Sequence, residues 1–259
     1  MEEVRPPSSP FSVFIVQCKR TAPLHQPPSS NQLVWGFSVF HSNAALDVVY
    51  SAQQIGSCGG IHMILSLQGC MAVGKTTAVR YLQENAPYVN ISYEINTDII
   101  DEVKRCQLDK NKYEDYLQIQ KLWLKKEVVR YSKAKNFNCS IMDFGAEEIE
   151  FYTLNYPRTI GQEWDIESAL HEELEQVRKC MPTRILFLDA SSEVLLRHKE
   201  NDNTRSRNFF EHHLKYLLPL KRKWFIGREN VDVLNVDNLN ADEVGKKVKE
   251  WVDFCIEHC

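Results

Sequence analysis

The segment Gly69-Cys70-Met71-Ala72-Val73-Gly74-Lys75-Thr76 spaces two glycines, a lysine and a hydroxyl in the pattern of a Walker A loop. Glycines allow such a loop to fold its backbone N–H groups around phosphate oxygens. The lysine reaches the β- and γ-phosphates, and the hydroxyl serves Mg²⁺. The helix that should open at Thr76 adds partial positive charge at the same point. Gly69, Ala72, Val73, Gly74, Lys75, Thr76 and Thr77 are therefore the expected nucleotide-binding residues, with ATP and Mg²⁺ as the expected cofactors. A chance glycine-rich turn would lack the apolar run Met63–Leu67 before it and the helical run Thr76–Asn85 after it.

Three carboxylates fall where they could act on a phosphate. Asp143 ends the apolar run Ser-Ile-Met-Asp, a placement suited to holding Mg²⁺ alongside Thr76; the alternative is a cap for the helix that follows. Glu94 follows a second short apolar run and could take the proton of a substrate hydroxyl. Asp98, four residues later, either joins Glu94 at the substrate or stabilises the start of its own helix. Gln120 lies on the apolar stripe of a long helix, so its carboxamide should point inward. There it could read a base edge with two hydrogen bonds, or be satisfied by neighbours.

Residues 197–207, Arg-His-Lys-Glu-Asn-Asp-Asn-Thr-Arg-Ser-Arg, are polar and rich in cations and lie between two helices. Phosphoryl transfer leaves the protein mainly electrostatic work, so Arg197, Arg205 and Arg207 are candidate lid arginines for a developing phosphate charge. A solvated loop is the bland alternative. Three tempting matches fail on context. Asp143-Phe144-Gly145 has no H-R-D loop to accompany it, Asn111-Lys112-Tyr113-Glu114 opens a helix and ends in Glu, and Gly69-Cys70-Met71 does not begin a dinucleotide fingerprint.

The elements that must position these groups alternate. Strands are expected at about 63–67, 89–93, 139–143, 184–189 and 231–236. Helices are expected at 76–85, 97–105, 112–133, 146–156 (stopped by Pro157), 166–180, 193–199, 209–225 and after Asn240, where Glu243 completes a capping box. Five short strands separated by helices specify a parallel sheet covered on both faces, with ligands beyond the carboxyl ends of the strands. The loop at 69–76, Glu94, Asp143 and the segment after Asp189 all fall at such ends.

The first 62 residues differ from the rest. They hold three basic and three acidic residues and six of the ten prolines. They form a Pro/Ser-rich extension, expected to be either a disordered arm or translated upstream sequence before a start at Met63, with the domain spanning 63–259. No segment reaches the roughly 20 apolar residues of a membrane span. The eight cysteines show no zinc or disulfide spacing, which fits reduced thiols and a cytoplasmic setting. A net charge of −4 gives no general attraction to nucleic acid. Nothing in the composition sets the oligomeric state.

Taken together, these residues resemble the P-loop nucleoside and nucleotide kinase group, most closely its deoxynucleoside kinase-like branch. The resemblance runs from Met63 to the end. It rests on the 69–76 loop, Glu94, Gln120, and Leu186-Phe187-Leu188-Asp189-Ala190-Ser191 followed by Arg197 and Arg205-x-Arg207. It implies a P-loop kinase-like three-layer α/β sandwich with a five-stranded parallel sheet and a helical lid. It also implies Glu94 as general base, Gln120 as base reader and the three arginines as a phosphate clamp. The sequence departs from that family where an acidic residue should be followed by arginine: Asp143 is followed by Phe144, which becomes a substrate-side candidate. The insert 151–167, with Tyr152, Tyr156 and Trp164, is a second candidate for shaping the acceptor pocket. The expected activity is Mg-ATP phosphotransfer to a small molecule, a nucleoside or nucleotide before an antibiotic or sugar derivative. A nucleotide-driven switch would carry a base-specific motif together with a D-x-x-G loop, and an assembly ATPase an Asp-Glu Walker B together with a further helical domain after the core; neither set is found.

Overall fold

The computed structural model describes residues 62–201 and 209–258. The Pro/Ser-rich extension up to residue 61 lies outside the described residues, as do Arg205 and Arg207. The strands are β1 Met63–Gly69, β2 Asn90–Ser92, β3 Cys139–Asp143, β4 Arg184–Asp189 and β5 Val231–Asn235. All pair in parallel, in the order β2-β3-β1-β4-β5. β1 and β3 are buried along their whole lengths, as an apolar strand covered on both faces must be. The chain leaves β1 toward β2 and returns past it to β4. Connections therefore diverge at the carboxyl end of β1, where open α/β sheets bind ligands.

The helices are α1 Lys75–Asn85, α2 Thr97–Arg105, α3 Tyr113–Ala134, α4 Ala146–Thr159, α5 Ile166–Ala169, α6 His171–Arg178 and α7 Ser192–Asn201. They continue with α8 Phe210–His212, a π-turn His213–Leu217, α9 Leu218–Phe225 and α10 Ala241–Glu257. The three layers, the parallel sheet and the helical arm made by α7 to α9 match the expected P-loop kinase-like sandwich. Asn240 forms the expected capping box with Glu243.

Several boundaries differ from the sequence expectation, those around Pro157 and Leu170 among them. Pro157 does not stop α4, which runs on to Thr159. A proline cannot donate to the carbonyl four residues back, here Thr153. That carbonyl instead accepts a hydrogen bond from the Tyr116 hydroxyl at 2.9 Å, so the helix continues without an orphaned acceptor. The helix expected over 166–180 is broken at Leu170, which is fully buried, into the short α5 and α6; Asp165 caps α5 by accepting from Ser168 N.

Candidate active site

The loop between β1 and α1 is held by its own side chains. Cys70, Met71 and Val73 are all part of the hydrophobic core. Gly69 has φ +136°, and a Cβ there would stand 2.3 Å from the Leu188 carbonyl oxygen on β4. Only glycine fits so close an approach. Gly74 has φ +106° with open space where a side chain would be, and it sits at the start of α1, whose first turn carries no acidic residue. The helix end, the backbone amides and the absence of neighbouring carboxylates on that turn suit an anion.

Lys75 lies across this loop. Its ammonium donates to the carbonyls of Gly69 at 3.1 Å and Cys70 at 2.7 Å and lies 4.5 Å from the centre of the Phe144 ring. Burial, with the charge of Lys221 beside it, brings Lys75 down to about 8. Thr76 follows on the same turn, half-buried, and Thr77 is exposed. Asp143 pairs in register with Leu67 of β1, which sets its carboxylate beside the strand that feeds the loop. Its charge is felt by Lys75. A serine/threonine hydroxyl and a carboxylate are the hard oxygen donors Mg²⁺ takes, so Thr76 and Asp143 fit that ion.

Glu94, just past β2, is drawn to the same end of the sheet. Burial pushes its carboxyl up to about 7; Arg130 and a hydrogen bond from Asn96 pull it down, while Asp143 and Glu127 push it up. Asp98 does not join this group. It is 68% exposed at the side chain and paired with Lys126 on α3, so its charge serves the start of α2. Arg197 is exposed on α7, next to His198, whose Nδ1 lies 3.0 Å from the Ala72 carbonyl. Helix α7 therefore borders the phosphate loop, and Arg205 and Arg207 fall outside the described residues.

Gln120 is buried as its stripe requires. Its Oε1 accepts from Thr153 Oγ1 at 2.8 Å, while its Nε2 has no hydrogen-bond partner among the described residues. A buried amide donor left unmet costs about 1–3 kcal/mol, which marks the Nε2 as a group awaiting an acceptor. Around it, α3 and α4 are joined by aromatic rings. Tyr156 stacks on Tyr152 at 5.0 Å and on Tyr116 at 5.9 Å, and Trp164 packs on Tyr113 and Tyr116. The insert residues named from the sequence thus join α3 and α4 in one aromatic cluster. Lys110, buried between the Tyr156 and Phe209 rings at 4.8 Å from each, is brought down to about 7 by burial.

Several groups here were not found by sequence reasoning. Lys221 of α9, 1% exposed at the side chain, is ion-paired with Glu148 at 2.6 Å and lies 3.3 Å from the Gly69 carbonyl. His213 on the π-turn meets the Cys70 thiol at 3.3 Å; burial holds the imidazole well below its usual range and pushes the thiol up to about 11, so both are neutral. Glu147 accepts from Ser66 Oγ, from Gln68 Nε2 at 2.8 Å and from Gly145 N at 3.1 Å, stapling the turn after β3 to β1. Each is a charged or polar residue on a helix, and on a helix such residues read as solvent-facing until the partner is known. One signal was present: Glu127, which pairs with Arg130, falls seven residues after Gln120, on the same buried stripe.

No family model matches the chain, and no curated protein sequence matches it. Solved structures do. A deoxyadenosine kinase from M. mycoides, with products dCMP and a flexible dCDP bound, is 14% identical with a TM-score of 0.56; the match covers 74% of this chain and 100% of that one. A thymidylate kinase from Candida albicans is 15% identical with a TM-score of 0.52, over 76% of this chain and 94% of that one. The fold of this chain is that of the P-loop nucleoside and nucleotide kinases.

Proposed function

We propose that the protein is a Mg-ATP-dependent kinase whose acceptor is a nucleoside or nucleotide. The observation that carries this reading is the meeting of three groups at one end of the sheet: the Gly69–Thr76 loop with Lys75, the Asp143 carboxylate, and the half-buried Glu94. The loop amides and Lys75 bind the nucleotide phosphates. Thr76 and Asp143 would hold Mg²⁺, which would supply charge neutralisation at those phosphates. Glu94, with a carboxyl near 7, is poised to accept the proton of the acceptor hydroxyl as that oxygen attacks the γ-phosphorus. Arg197, with Arg205 and Arg207 later in the same cationic sequence segment, supplies positive charge as the γ-phosphoryl group transfers. Gln120 offers one donor to an acceptor group on the substrate, which suits a nucleobase edge. Residues 1–62 take no part in this chemistry, and 63–259 constitute the catalytic unit.

Phe144 supports a second reading. It stands where the family resemblance expects arginine, and its ring covers Lys75. A site without that arginine fits an acceptor of another chemistry, such as a sugar or antibiotic hydroxyl. The test is an ATP-consumption screen of the purified protein against nucleosides, nucleotides, sugars and antibiotics, with Lys75→Ala as control. Lys75→Ala should lose turnover by at least about 100-fold while keeping its fold. Nucleoside turnover supports the first reading, turnover of sugars or antibiotics alone supports the second, and no turnover of any acceptor sinks both.

A further inference from the structure

The turn Asp143-Phe144-Gly145 must be fixed accurately if the metal and the base are to face one substrate, and Phe144 makes it costly to fix. Its φ is +62°, a left-handed conformation that a bulky residue rarely adopts. Something must over-determine it. Glu147 holds the Gly145 amide from one side. From the other side comes Arg130, near the end of α3. Its Nη2 donates to the Phe144 carbonyl at 2.6 Å and to Glu127 Oε1 at 3.1 Å, its Nη1 to the Ser92 carbonyl at 3.1 Å, and its Nε to Glu127 Oε2 at 2.9 Å. Four of its five N–H groups are thus engaged, two on backbone carbonyls and two on one carboxylate. Both side chains are nearly out of water, at 11% and 5% exposure.

Those two carbonyls are telling. Ser92 ends β2, two residues before Glu94, and Phe144 directly follows Asp143. We propose that Arg130 is the positioning residue of the active site: its guanidinium, oriented by Glu127, ties the end of β2 to the turn after β3. It thereby sets the spacing between Glu94 and Asp143. Arg130 supplies from α3 the guanidinium that the sequence lacks after Asp143. The planar fork is what makes this possible, because lysine has no rigid pair of donors to span two strands. The same charge lies beside Glu94 and Glu127, among groups that would otherwise be acidic alone.

This inference rests on the kinase reading for its catalytic half and is independent of it for its structural half. The structural half is tested by hydrogen exchange on folded Arg130→Met and Arg130→Lys proteins. Amides at 92–95 and 143–146 should exchange at least about tenfold faster in both, while β1 amides stay protected. Unchanged exchange in those two segments overturns the clamp, whether or not any acceptor is known. If Arg130→Met fails to fold, Glu127→Gln, which keeps one acceptor, carries the same measurement with a smaller effect.

The catalytic half is tested with the acceptor found in the screen. Arg130→Met should lower kcat by about 100-fold, the scale of a displacement near 1 Å, with KM for ATP within about twofold. Equal losses in kcat and ATP affinity would leave Arg130 a packing residue and overturn this half.

Discussion

Lys221 reaches Gly69 from behind the phosphate loop, with its ammonium 3.3 Å from the glycine carbonyl and its charge met by Glu148 at 2.6 Å. Almost none of either charged side chain touches water. Lys75 uses the same carbonyl from the other side. The loop therefore rests on one buried cation while it presents another.

Breaking that buried pair should be costly. Lys221→Met leaves the Glu148 carboxylate uncompensated and should destabilise the protein by about 3–5 kcal/mol. Lys221→Met combined with Glu148→Leu should recover most of that loss, because two apolar groups replace two charges. Denaturant unfolding of the three proteins decides it. A double variant no more stable than the single one would show that the contact to Gly69, and not the ion pair, carries the stability.

Glu94 should set both the pH profile and a stability penalty. Its folded carboxyl lies near 7, above the ordinary 4.5. As a base it must be ionised, so kcat/KM should rise with pH through about 7 on the acid limb. The folded state holds this proton more tightly than the unfolded state does. Its contribution to stability is full below about 4.5 and is lost as the pH rises through 7. Glu94→Gln should thus abolish turnover and at pH 8 raise the melting temperature relative to wild type. A profile flat from pH 5 to 8 would remove Glu94 from the base role.

Gln120→Ala should raise KM for the acceptor while leaving KM for ATP unchanged. A site that hydrogen-bonds its substrate discriminates strongly against analogues lacking the matching group. Acceptor analogues stripped of a hydrogen-bond acceptor on the base should lose rate with the wild type and be indifferent to the Gln120→Ala change. If both proteins rank the analogues alike, Gln120 is only the partner of Thr153.

Tyr116→Phe should cost about 1–3 kcal/mol by orphaning the Thr153 carbonyl above Pro157. Tyr116→Phe with Pro157→Ala should recover part of it, since alanine returns the missing N–H. Thermal melts of both variants test this, and additive losses would contradict it.

The strands were legible because burial on both faces leaves unbroken apolar runs, as in Cys139–Asp143 and Arg184–Asp189, whose limits agree with the sequence reading. Glycine and lysine spacing made the phosphate loop equally plain. What escaped depended on partners far along the chain. Proline 157 is tolerated because of a hydroxyl 41 positions earlier, a fact no local pattern contains. Arg130 and Lys221 look like ordinary surface charges on amphipathic helices until the helices are packed; only the position of Glu127 on the stripe of Gln120 pointed inward. Phe144 was read as an omission; in the fold its carbonyl, not its side chain, is the part that another residue grips.

The phosphate loop sends three of its side chains, Cys70, Met71 and Val73, into the core and wedges its first glycine against β4. It is thus cast together with the sheet and has little freedom to adapt to a guest. The aromatic cluster is of another kind, built from rings on two helices and the loop that joins α4 to α5. Tyr113, Tyr152 and Trp164 could be exchanged there without disturbing a single loop amide. A designer seeking a new acceptor for this scaffold would re-line those helices and leave the first 20 residues of the domain alone.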